Sequence, residues 1–204
     1  MPKIHYFMDE LPQSLIINGS EIPINTDFRA VIKFDHLVKE DTGDGVKLAE
    51  ALYIIFGTVP EDIDAALDEL TDFITGGDIE EKPYKPSKKV LGINSAKAID
   101  YYADDRMIWS AFYLTYRINL RTIDYLHWWD FVELLKELPE TARIERVVHY
   151  RTVDTKSPRI GKEQKAVYEA LQRYYKLTEH RSAEDELIAE ALRQGKDPAQ
   201  IINR

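Results

Sequence analysis

Apolar positions along this chain recur at two periods, and the change from one to the other comes early. Near the start, "SLIINGSEIPI" sets two short apolar runs on either side of Asn18-Gly19. Asn and Gly tolerate the positive φ angles of a tight turn, so the pattern predicts a β-hairpin over Leu15–Ile24. Two strands alone are marginally stable, and the hairpin is expected to pack on the first helical group. Thereafter the period is helical. "NTDFRAVIKFDHLVKE" brings Phe28, Val31, Ile32, Asp35 and Val38 near one face, with Phe34 and Leu37 widening it. "DGVKLAEALYIIFG" is apolar at Val46, Leu48, Ala49, Leu52, Ile55 and Phe56, and Gly57 is a stop signal. Thr58 as cap and Pro60 in the first turn suit the start of a third helix, where Ile63, Ala66, Leu67, Leu70, Phe73 and Ile74 form one stripe.

The pattern lapses in "GGDIEEKPYKPSKKVLGINS". Paired glycines, two prolines and blocks of alternating charge predict an exposed linker over residues 77–94. Helical spacing returns at about Tyr101–Tyr116, Asp124–Leu138 and Ala142–Arg151. A further segment, "KEQKAVYEALQRYYKL", aligns Val167, Ala170, Leu171 and Tyr174. The last, "SAEDELIAEALRQG", carries a capping box at Ser182 and Asp185 and closes at Gly195. The expected fold class is mainly α, a multi-helix bundle with a short N-terminal β-hairpin. Its expected parts are a hairpin with acidic helices (1–76), the linker (77–94), an aromatic helical core (95–178) and a separable helical tail (179–204).

The aromatic core poses one problem. Trp128 and Trp129 are neighbours in a chain with three tryptophans. Neighbours on a helix lie about 100° apart, so both cannot face one core. Wound as a helix, Asp124–Leu138 puts His127, Trp128, Phe131, Val132, Leu134, Leu135 and Leu138 on one broad face. Trp129 falls nearly opposite, beside Tyr125, Leu126 and the stem of Lys136. Trp129 therefore needs a second covering layer, from this chain or from another. On the second reading Trp129, Tyr125 and Leu126 are the candidate partner-binding residues, since tryptophan is enriched among interface anchors. The preceding helix repeats the theme, with Trp109, Phe112, Tyr113 and Tyr116 spaced as a core stripe.

Charge narrows the partners. The net charge is −9, unevenly spread: residues 1–82 hold 18 acidic and 6 basic side chains, residues 83–204 hold 18 and 21. Phosphate binding needs clustered cations, so nucleic acid is not expected as a partner. No apolar run approaches the roughly 18 residues of a membrane span, and "MPKIHYFMDELP" lacks the apolar stretch of a signal peptide. A membrane is not expected either.

Candidate chemistry is sparse. The chain has no cysteine, which excludes disulfides, thiolate metal sites and cysteine nucleophiles. None of its five histidines is paired at the i, i+4 spacing of a helical zinc site. "EDTGDGVKLAEA" faintly resembles a calcium loop around Gly45, but the closing bidentate Glu would be Ala51. The acidic run Glu61, Asp62, Asp64, Asp68, Glu69 and Asp72 lies off the apolar stripe and reads as a solvated face. No phosphate loop, nucleophile elbow or dinucleotide fingerprint is present. No catalytic residue, metal site or cofactor is therefore expected.

One resemblance adds to this reading. The stretch "DYYADDRMIWSAFYLTYRINLRTIDYLHWWDFVELLKELPETARIERVVHYRT" resembles the phage gene-product-fifteen family. The matching features are the aspartate-rich helix start (Asp100, Asp104, Asp105), the aromatic helix ending near "YRINL", the run Leu126, His127, Trp128, Trp129, Phe131, Leu138, Pro139, and then Arg151 and Thr152. "INTDFRAVIKFDHL" is similar to the family's opening. The resemblance spans about Leu15 to Leu177 and excludes the tail. Where the family has a glycine before "I-[DN]-L", this chain has Arg117. The family's genes usually lie just before the tape-measure gene of long-tailed phages, the place of tail assembly chaperones. The resemblance thus implies a non-enzymatic binding protein for the tape-measure protein, with tail-tube protein a further candidate partner and self-association open. It would act in the host cytoplasm during phage assembly. The alternative is a structural virion component of the tail or neck.

Overall fold

The computed structural model describes residues 4–40, 43, 45–76, 98–158 and 160–177. These fall into two compact units, one holding Pro12–Leu70 and the other the residues up to Leu11 with Thr71–Leu177. The expected linker over 77–94 and tail over 179–204 lie outside the described residues. The two units part between Leu70 and Thr71, inside a helix.

The first unit begins with the predicted hairpin. Strands β1 (Ser14–Ile17) and β2 (Ser20–Pro23) pair antiparallel, Leu15 opposite Ile22 and Ile17 opposite Ser20. Asn18 (φ 51°) and Gly19 (φ 79°) both take positive φ, the mirror-image turn whose twist matches the strands. Leu15 and Ile17 point inward and are buried, while Ile16 between them is exposed. Helix α1 (Phe28–Lys39) is capped by Asp27, whose carboxylate accepts the Arg29 N–H at 2.9 Å. It packs on α2 (Val46–Phe56). Gly57 ends α2 in the left-handed region, donating its N–H to the Tyr53 carbonyl, as the stop signal predicts. A backbone bond from Asn25 N–H to the Ile55 carbonyl (2.7 Å) ties the exit of the hairpin to the end of α2.

Helix α3 (Ile63–Thr75) starts later than Thr58 and Pro60 suggest. Its cap is Asp62: one carboxylate oxygen accepts the Ala65 N–H (3.1 Å), the other the Asn18 side-chain amide (2.9 Å). The Asn18 bond first, then the Ala65 N–H, hold this carboxyl below its ordinary range. The hairpin turn is thereby fastened to a helix start, as the hairpin's marginal stability requires.

The second unit takes the last turn of α3 and four further helices: α4 (Asp105–Tyr116), α5 (Trp128–Lys136), α6 (Arg143–Thr152) and α7 (Lys162–Tyr175). Helix α4 packs on α5 and α6, and α6 on α7. The rings of Phe112 and Phe131 stack at 5.2 Å in the centre of this core, with Ile108, Leu135, Ile144 and Val147 buried. With seven helices and a two-stranded hairpin among the described residues, the chain is mainly α, as its periodicity predicts.

Two further helix starts differ from the sequence expectation, again through side-chain hydrogen bonds to the backbone. Helix α4 begins at Asp105 and not near Tyr101, because Asp100 diverts the chain into a turn by accepting the N–H groups of Tyr102 and Ala103 (3.0 and 2.9 Å). Helix α5 begins at Trp128 and not at Asp124. His127 is its cap, the imidazole Nδ1 accepting the Trp129 N–H at 3.1 Å.

Candidate functional site

Trp128 and Trp129 open α5, and the end of α3 lies against them. The Trp128 indole N–H donates to the Ile74 carbonyl at 2.9 Å, and the Trp129 indole N–H to the Phe73 carbonyl at 2.7 Å. Carbonyls in the last turn of a helix lack intrahelical partners and must be satisfied otherwise. Here two adjacent indoles meet two adjacent carbonyls. Successive residues fan out by about 100° on each helix, so a neighbouring pair can reach a neighbouring pair. The Phe73 carbonyl also accepts from Gly76, and the Thr75 hydroxyl serves the carbonyls of Thr71 and Asp72. The carbonyls of Thr71, Asp72, Phe73 and Ile74 in the last turn of α3 are thus all satisfied.

The rings are covered as well. Trp129 stacks on Phe73 (5.8 Å, 26°) and has His127 against its edge (6.0 Å). Trp128 stacks on Phe131 (5.7 Å) and receives the edge of Tyr101 (5.8 Å). Their exposures are 3% and 7% for Trp128 and Trp129. The second layer that Trp129 requires therefore comes from this chain, through Phe73. As an exposed anchor Trp129 is corrected, because its ring and its donor are both engaged internally. Of the other two candidate partner residues, Tyr125 is 48% exposed and Leu126 half-buried. The three are not brought together on one open surface. The aromatic stripe of α4 is also less uniformly buried than its spacing implies. Phe112 is buried, but Tyr113 is exposed and lies flat on Trp109, whose indole N–H goes to Asn119 (3.0 Å).

A second cluster joins residues far apart in the chain. Arg151 of α6 makes a bidentate pair with Asp104 (2.6 and 2.9 Å), both side chains buried. The same guanidinium donates to the carbonyls of Ala98 (3.0 Å) and Tyr175 (2.7 Å). Asp104 in turn accepts the Asp100 N–H (3.0 Å). The planar five-donor fork of arginine suits this set, and a lysine could not replace it. Sequence reasoning marked Asp100, Asp104 and Arg151 only as positions of a family resemblance. No periodicity links residues 47 apart, so nothing local could have shown the pair.

Among the described residues no group of three or more His, Asp or Glu side chains is placed to hold a metal ion, and no helix is long and apolar enough to cross a membrane.

The comparison that decides the lineage is with protein-family models: residues 7–177 match the family described as Bacteriophage Gp15 protein. The chain belongs to that family. No curated protein and no solved structure matches it. The Gp15 match covers both units and takes in both the tryptophan joint and the Arg151 cluster. It makes the chain a bacteriophage protein of the structural or assembly kind.

Proposed function

We propose that this Gp15 protein is a non-enzymatic, chaperone-like binding protein that acts on the tape-measure protein during tail assembly in the host cytoplasm. The observation that carries the reading is helix α7. None of its residues is buried, and Val167 and Tyr174, seven apart and so on one stripe, are 57% and 78% exposed. An amphipathic helix with its apolar stripe open is the kind of surface that receives a helix of another protein. A tape-measure protein offers long amphipathic helices that need such cover until tail-tube subunits arrive. The reading also accords with the exposed rings of Tyr102, Tyr113 and Tyr125 in the same unit.

Two measurements test it. Co-expressed tape-measure protein should co-purify with the wild-type chain and be lost with Val167→Asp/Tyr174→Asp. Peptide mass spectrometry of purified particles should find the protein absent. Stoichiometric copies in the particle would instead make it a structural component of the tail or neck.

A further inference from the structure

Helices α6 and α7 enclose an open groove of about 610 Å³, lined by Glu140, Glu145, Arg146, His149, Tyr150 and Tyr168. Three of the lining side chains, His149, Tyr150 and Tyr168, are aromatic. The His149 ring stands edge-on to Tyr168 at 5.7 Å, and Tyr150 lies tilted to Tyr168 at 6.5 Å. Glu145 sits one helical turn before His149, so the two project from the same side of α6. Glu145 as a residue is half-buried, and among the described residues it has neither an ion pair nor a side-chain hydrogen bond. Burial alone pushes its pKa upward. A carboxylate partly withdrawn from water, with no protein cation paired to it, offers a seat for a cation entering the groove.

We infer that this groove receives a lysine side chain of a partner polypeptide, its aliphatic stem against the rings of Tyr150 and Tyr168 and its ammonium on Glu145. The aromatic lining residues suit such a stem, and ring faces attract the cation itself. Glu140 on the same lining adds a second negative charge. Arg146, also on the lining and exposed, sets a limit: it repels a dense run of cations. It favours an isolated lysine with an acidic neighbour, the mixed-charge pattern of an amphipathic helix. The inference deepens the proposed binding role by giving it a site, and rests on that role only for the identity of the partner.

The probe is a synthetic amphipathic helical peptide of leucine, glutamate and a single lysine, titrated into the full-length isotope-labelled protein and followed by NMR. Saturable shifts of His149, Tyr150 and Tyr168 are expected. Replacing the peptide's lysine with norleucine should weaken binding at least about tenfold. Glu145→Gln should weaken the lysine peptide by a similar factor and leave the norleucine peptide unchanged. Because nothing pairs with Glu145, that variant should keep the wild-type melting temperature or exceed it. Equal affinity for the two peptides, absence of saturable shifts, or indifference to Glu145→Gln would overturn the site. Tape-measure protein separates the two levels. If wild type and Glu145→Gln retain it equally, the groove is wrong and the binding role stands; if wild type does not retain it, that role itself fails.

Discussion

At the scale of single residues, the tryptophan pair works as a joint. Each indole supplies a ring to a core and a donor to a carbonyl that its helix cannot satisfy. Trp128→Ala and Trp129→Ala should therefore destabilise the protein alike, each by about 3–5 kcal/mol in urea unfolding. Trp129→Phe keeps the stack on Phe73 and drops the hydrogen bond, for a smaller loss of about 1–2 kcal/mol. An unequal pair, with Trp129→Ala nearly neutral, would mean that its ring is not covered as described. Arg117 is a different kind of residue. It ends α4 at φ 60°, ψ 20°, in the left-handed region where a side chain is strained and glycine is not. Arg117→Gly, the residue the family resemblance places there, should raise stability by about 0.5–1 kcal/mol, read as a shift in the urea midpoint. Glu145 titrates in the opposite sense to a salt-bridged acid. Its folded pKa lies above the ordinary 4.5, so the native state holds the proton more tightly than the unfolded chain. Its effect on stability is neutral below that value and increasingly unfavourable as pH rises from 4.5 through the raised folded value. Stability curves of wild type and Glu145→Gln should thus separate above this window, with the variant higher, and converge below it.

At the scale of elements, periodicity found the helices and the Asn-Gly turn found the hairpin, because both signals are local. What it misplaced were starts. Thr58 is a good capping residue, yet Asp62 holds that place because Asn18 of the hairpin meets it there. His127 is a weak capping type, yet it caps α5, with Phe73 packed against its ring. In each case the deciding contact comes from elsewhere in the chain. The same holds for the clamp of Arg151, which joins the start of α4, the end of α6 and the end of α7. Removing one partner of a buried pair leaves an uncompensated charge, so Arg151→Ala should cost about 3–5 kcal/mol. Arg151→Met with Asp104→Leu should cost markedly less than the sum of the single changes. A double-mutant cycle measures the difference, and additive losses would mean that the two side chains are not coupled.

At the scale of the whole molecule, the division into two units was not legible in the sequence, because it falls within an unbroken helix. The contacts divide α3 between Leu70 and Thr71. Helix α3 thus contributes Ile63–Leu70 to one unit and its last turn, the turn that receives both indoles, to the other. Helix formation is cooperative, and a helix of this length has little stability once its packing is lost. Neither unit should therefore unfold while α3 stays intact in the other. The tryptophans make this measurable. Trp109, Trp128 and Trp129 all belong to the unit with Thr71–Leu177, and Pro12–Leu70 contains none. Tryptophan emission then reports one unit, while far-ultraviolet ellipticity reports the helices of both. The two signals should trace one coincident transition in urea, as two-state unfolding requires. Two resolved midpoints would show that α3 can fray at Leu70 and leave the tryptophan joint standing.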